Sequence, residues 1–317
     1  MNICITGALG HIGSKLIRNL SIPDLSKVYL VDNFLTQRYA SLFDLPTGIN
    51  YIFRELDINS EGMKSIVGDC QVLIHLAAVT NAERSFERAR EVEEINQQGL
   101  EKVAHLCAGS GCSLLFPSST SVYGSQSQLV DETCPEEELQ PQSPYAESKR
   151  FGEKLLTSLA EKKGLKFVVF RIGTIFGYSI GMRFHTAVNK FVWQANLGEP
   201  LSVWKTALNQ KRPYCGLDDC VRVMNFFVAN GGFDDQIYNI VTENFTVQDI
   251  IDVIREYIPE TKIKLVDSPI MNQLSYEVSN EKSLKRGFTY TQNMRESVHE
   301  VLQKLKISAR IKEWVGN

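Results

Sequence analysis

Several absences narrow what this chain can be. It has no apolar run approaching the ~18 residues of a membrane-spanning helix, so no membrane partner is expected. Acidic and basic residues are interspersed, net charge is −3, and no basic stripe marks a nucleic-acid face. Its seven cysteines are odd in number and scattered. Neither close pair, Cys107/Cys112 or Cys215/Cys220, has the spacing of a zinc site. No His/Asp/Glu cluster has ligand spacing either, so no metal is expected, and His75, His105 and His299 read as packing or solvent-facing residues. Reduced thiols suit a cytoplasmic protein. The first apolar run begins at residue 2 and leads into a functional turn, which argues against a cleaved signal peptide. The chain shows no internal repeat and no low-complexity segment. A hydrophobic fraction of 43% over 317 residues is enough to bury one large core or two coupled ones.

What is present begins at once. Asn2-Ile3-Cys4-Ile5 is a short apolar run, followed by Thr6-Gly7-Ala8-Leu9-Gly10-His11-Ile12-Gly13 and then by helical spacing through Leu20. Strand, glycine turn and helix in that order bring backbone N–H groups to a pyrophosphate at the positive end of a helix. A second apolar run, Lys27 to Val31, ends in Asp32, nineteen residues after Gly13. An acid there can accept from both hydroxyls of an adenosine ribose, and its charge favours NAD over its 2′-phosphorylated form.

Strands are expected at 2–6, 27–31, 50–53, 71–76, 113–117 and 166–170, and helices at 12–20, 60–67, 92–108 and 144–163. Continuous apolar strands alternating with helices predict an α/β fold: a doubly wound, parallel Rossmann-type sheet. Ser143 as N-cap, Pro144 at the first position and Gly164 at the end punctuate the last helix. After residue 172 the elements shorten, with helices expected near 185–197, 217–230, 246–257 and 294–306. This divides the chain into an expected dinucleotide-binding domain, 1–172, joined by a strand and helix from about 213–242, and a smaller C-terminal substrate-binding lobe, 173–317.

Tyr145 and Lys149 stand four apart on helix 144–163 and share a face. A phenol is a poor base near neutrality, but an ammonium beside it favours the phenolate, which can then take a proton from a hydroxyl. Taken alone, a Tyr-x-x-x-Lys can equally be a surface pair. Strand 113–117 runs into Ser118-Ser119-Thr120-Ser121-Val122-Tyr123-Gly124, placing hydroxyls where a doubly wound sheet opens its ligand crevice. Those hydroxyls can equally be turn formers.

Together these motifs resemble the extended short-chain dehydrogenase/reductases, the nucleotide-sugar epimerase and dehydratase family. The resemblance is dense in the N-terminal half and loose in the last third. It implies that Gly7, Gly10, His11, Ile12, Gly13, Asp32, Asn33, Asp57, Ile58, Leu76, Ala77, Ala78 and Asn96, with Tyr145 and Lys149, bind NAD. It implies a catalytic triad of Ser119, Tyr145 and Lys149, and substrate contacts from Thr80, Ser119, Thr120, Thr174, Arg183 and Arg212. Arg171 to Gly177 resembles an element near the sugar diphosphate, and Arg212 the arginine that grips the diphosphate. Arg183, with His185 and Lys190, can reach substrate or simply face solvent. The family also implies a homodimer through helices near 92–108 and 144–163, with Val92, Ile95, Leu100, Val103 and Leu106 as apolar surface, some of which must face the sheet.

The chain departs from the family where Thr120-Ser121 replaces the carboxylates that dehydratases and decarboxylases carry before Val-Tyr-Gly. Thr174 replaces a common Asn, and Thr80 stands where some epimerases hold a lysine. The expected function is therefore an NAD-dependent nucleotide-sugar epimerase working through a transient keto sugar. A dehydratase, a ketoreductase of the same family, or a non-enzymatic NAD sensor are the rivals, and an intact triad argues against the sensor.

Overall fold

The computed structural model describes residues 1–124, 129–267 and 276–305. Seven parallel strands form one sheet: β1 (Asn2–Thr6), β2 (Lys27–Asp32), β3 (Asn50–Glu55), β4 (Val72–His75), β5 (Ser113–Ser119), β6 (Phe167–Ile172) and β7 (Gln236–Ile240), in the spatial order β7-β6-β5-β4-β1-β2-β3. The architecture is α/β and Rossmann-like. The central strands are buried on both faces, as their continuous apolar runs require. The order in which strands are added reverses between β1 and β4, and a crevice forms at the carboxyl ends of strands at such a switch point.

Helix α1 (His11–Leu16) follows β1 directly. Helix α2 (Gly99–Ser110) continues from a π-helical turn at Glu93–Gln98, an irregularity that sequence periodicity does not reveal. Helix α3 (Pro144–Lys163) has the expected punctuation. Ser143 Oγ accepts from the Ala146 N–H at 3.2 Å, Pro144 opens the helix, and Gly164 closes it at φ +69°. Val92, Leu100 and Val103 are buried in the monomer, the latter two packed with α3 residues beneath the sheet. Three of the five residues expected to supply a subunit interface are therefore core.

After β6 the chain adds a strand at Thr174–Phe176, which pairs with Lys211–Gly216 and through it with Glu243–Thr246. Helices Ala187–Asn196, Val247–Tyr257 and Met294–Leu305 pack around their own core of Phe176, Phe191, Tyr214, Ile250 and Val298. Between these segments the chain returns to the main sheet. Helix α4 (Leu217–Ala229) packs on it, and β7 pairs with β6. The strands after residue 172 are thus shared between two cores.

Candidate functional site

The glycine turn is shaped by close backbone contact. Gly7 has φ +64°, and a Cβ there would lie 2.6 Å from the Ala77 nitrogen; a Cβ on Gly13 would lie 2.5 Å from the Ala8 carbonyl oxygen. Both positions exclude any side chain. Gly10 is the N-cap of α1 and makes no side-chain cap, so the first-turn N–H groups of the helix have no partner within it. That cradle of free donors and absent side chains fits a pyrophosphate. Asp32 closes one side: its Oδ2 accepts from the Leu9 N–H at 3.1 Å and its Oδ1 from the Phe34 N–H at 3.0 Å. Asn33 Nδ2 donates to Asp57 Oδ2 at 3.0 Å, and Ile58 is buried against Gly99. Residues far apart in the chain thus gather along one rim of the cradle.

Arg38 also comes to this rim, where its guanidinium feels the Asp32 carboxylate. Sequence neighbours of Asp32 carry no base, but the tertiary fold supplies one. The Asp32 carboxylate, held by the Leu9 and Phe34 N–H groups, would repel a 2′-phosphate bound against this rim. Titration of the chain with NAD and NADP should give tighter binding of NAD by about tenfold or more, on the order of one unpaired charge contact. Equal affinities would remove Asp32 as the selector.

The strand end after β4 lines the crevice. Leu76 N–H donates to the Thr6 carbonyl at 2.9 Å and Ala77 N–H approaches Thr6 Oγ1 at 3.4 Å. His75 is fully buried, with Nδ1 2.9 Å from Thr6 Oγ1; burial, then the nearby Lys149 charge, push its pKa down to about 3. It is a neutral packing residue. Asn96, in the π-helical turn, braces this segment: its Oδ1 accepts from the Val79 N–H, and its Nδ2 donates to the Val79 carbonyl and to Ser148 Oγ. Its amide is thus committed within the protein, and it shapes the crevice from behind.

Ser119, Tyr145 and Lys149 converge. Ser119 hydrogen-bonds the Tyr145 phenol; this bond and the Arg183 charge both oppose the burial that raises the phenol above its usual value. Lys149 Nζ lies 5.7 Å from the Tyr145 ring centroid, donates to the Pro117 carbonyl at 2.8 Å and sits 4.7 Å over the Phe116 ring. Burial brings Lys149 down to about 7, Glu153 opposing and Arg183 adding to the shift. Arg183 also bonds Thr80 through Nη1 and Thr80 Oγ1, so these two expected substrate residues meet beside Tyr145.

The segment carrying Arg183 is strapped over the glycine turn. His11 Nε2 contacts the Gly177 carbonyl at 3.0 Å, Ser179 Oγ donates to the His11 carbonyl at 2.9 Å, and the Gly181 N–H donates to Ser14 Oγ at 3.0 Å. Cradle and triad are therefore parts of one cleft.

Thr120 is buried in a 3-10 turn, with Oγ1 3.5 Å from the Ile172 carbonyl. The Ser121 hydroxyl, one residue on, donates to Ser119 Oγ at 2.9 Å. Arg171 lies on β6 at the start of the Arg171–Gly177 element. Its Nε and Nη2 form a buried ion pair with Glu153. Thr174 is half-buried and pairs with Tyr214, two residues after Arg212 on the neighbouring strand. Arg212 lies 5.1 Å over the Tyr276 ring, and Tyr276 donates to the Thr120 carbonyl at 3.3 Å. Ser121, Tyr276 and Glu153 were missed in the sequence. Only Glu153, four residues after Lys149, carried a periodic signal.

Three comparisons bear on this cleft. A model of the NAD dependent epimerase/dehydratase family matches residues 3–240. An uncharacterized UDP-glucose epimerase of Bacillus subtilis is 27% identical, over 70% of this chain and 71% of that protein. A trifunctional UDP-glucose 4,6-dehydratase/UDP-4-keto-6-deoxy-D-glucose 3,5-epimerase/UDP-4-keto-L-rhamnose-reductase of Arabidopsis thaliana is 25% identical over 95% of this chain, which spans 46% of that protein's length. Among solved structures, a UDP-glucuronic acid 4-epimerase from Bacillus cereus, in complex with UDP-glucuronic acid and NAD, shares the fold at a TM-score of 0.84 and 23% identity, over 96% of this chain and 100% of that one.

Proposed function

The chain belongs to the NAD dependent epimerase/dehydratase family, and on that premise we propose that it is a nucleotide-sugar epimerase working through a transient keto sugar. It is an enzyme whose cofactor is NAD. The cradle around Gly7, Gly10 and Gly13, the Asp32 rim and Lys149 are the groups that would hold it, and it supplies a reversible hydride acceptor. Tyr145 takes the proton of a sugar hydroxyl and later returns it. Ser119, held by the Ser121 hydroxyl, hydrogen-bonds the oxygen on which charge changes. The Arg183 and Lys149 cations favour the phenolate. Arg212, poised over Tyr276, offers a two-pronged grip for the diphosphate.

One observation carries the epimerase outcome over dehydration. The two residues after Ser119 are a buried threonine and a serine whose hydroxyl is spent on Ser119. Neither can act as the carboxylic acid or carboxylate that elimination of water requires. The reading includes a cytoplasmic homodimer through the helices near 92–108 and 144–163, where Ile95 of the π-helical turn and Leu106 of α2 are half-buried. Among the described residues no helix is long and apolar enough to cross a membrane.

A panel of UDP-, GDP-, CDP- and dTDP-sugars incubated with the enzyme and NAD should yield one product of unchanged mass, with no accumulating NADH. Loss of one water would establish dehydration instead. Steady consumption of added NADH would establish a ketoreductase.

A further inference from the structure

Tyr145, Lys149 and Glu153 are spaced four apart along α3 and share one face. Each grips one of three consecutive residues of β5. Tyr145 bonds Ser119, Lys149 donates to the Pro117 carbonyl, and Glu153 Oε1 accepts from Ser118 Oγ at 2.5 Å. Glu153 is also paired with Arg171, whose Nε lies 3.0 Å from Oε1 and Nη2 2.7 Å from Oε2; both residues are about 95% buried. Arg171 stands opposite Ser118 in the register of β5 and β6, and its guanidinium lies 4.8 Å from the Tyr123 ring centroid.

A buried ion pair is a poor source of stability, because desolvation offsets its attraction and apolar replacements commonly do as well. Its location suggests another use. Lys149 is faced by Tyr145 and Glu153 from its own helix, by His75 from β4, by Phe116 and the Pro117 carbonyl from β5, and by Arg183 from the strap. Glu153 is the one anion in that set, and Arg183 opposes it.

Resting on the catalytic reading of Lys149, we propose that the Glu153–Arg171 pair sets the charge of the triad: Glu153 sustains the Lys149 ammonium and anchors the β5 end that carries Ser119, while Arg171 limits how much negative charge reaches Lys149. Both are positioning residues, since neither touches the reacting atoms.

The test needs neither substrate nor cofactor. Protein labelled with [6-13C]lysine is titrated by NMR, with the Lys149 resonance identified by its loss in Lys149→Met. The wild-type midpoint is expected near 7. Glu153→Gln keeps shape and the Ser118 contact but removes the charge, so the midpoint should fall by about one unit or more. Arg171→Gln leaves the carboxylate less neutralised, so the midpoint should rise. Glu153→Asp, which restores the charge, should return it to within about half a unit of wild type. A Glu153→Gln midpoint unchanged from wild type overturns the proposal, as do shifts of one sign in both neutral variants. If Glu153→Gln does not fold, Arg171→Gln carries the test with its opposite sign. Failure of both to fold would assign the pair to folding alone and overturn its role in the site. A wrong reaction assignment would appear in the product panel and leave this titration untouched.

Discussion

Tyr145→Phe should reduce turnover by about 10²–10⁴-fold, the usual loss when a general acid–base group is removed, while NAD affinity stays within about twofold. The substitution deletes one oxygen and little volume. The ring that Lys149 approaches at 5.7 Å is retained, and the glycine cradle is untouched. What disappears is a phenol bonded to Ser119 and lying beside the Arg183 charge. Steady-state kinetics on the substrate found by the panel, together with NAD titration by calorimetry, separate the two quantities. A near-normal rate would dismiss Tyr145 as the base. A rate loss with equal loss of NAD affinity would make its role structural.

Lys149→Met should impair both rate and NAD affinity, because one side chain serves the phenol and the cofactor cradle. A rate loss of about 10²-fold or more is expected, the scale of a removed charge in a buried site. Stability should respond in the opposite sense. Burial lowers Lys149 from 10.5 to about 7 in the folded chain. Below pH 7 both folded and unfolded chains carry the charge, and folding bears the full cost of burying it. Between about pH 7 and 10.5 the folded chain releases its proton first, so that cost declines as pH rises. Lys149→Met never bears it. Its Tm should therefore exceed the wild-type value most clearly below pH 7, and the gap should narrow as pH rises above 7. Thermal melts across that range check the sign; a gap that widens with pH would mean the ammonium is stabilised, not strained, in the fold.

The pattern of what was legible follows from the range of each interaction. The ends of α3 were readable because Ser143, Pro144 and Gly164 act on their own backbone neighbours. The common face of Tyr145 and Lys149 was readable because four residues make about one helical turn. The orientation of Thr120 and Ser121 was not. A 3-10 turn begins at Thr120 and buries its side chain, while the hydroxyl of its neighbour Ser121 bonds Ser119. The apolar residues of α2 were visible, but whether they met the sheet or a partner helix depended on which surface lay nearer.

The sequence by itself determined the parallel α/β sheet, the glycine turn and the spacing of the triad, because each rests on steric and hydrogen-bonding rules that act within a few residues. Tertiary structure alone decided that Arg38 sits by Asp32, that Arg183 meets Thr80 and Tyr145, and that Arg171 is spent on Glu153. Those partners lie from 6 to 103 residues apart in the chain. Charge and hydrogen bonding act through space, and only the packed sheet brings such groups within reach.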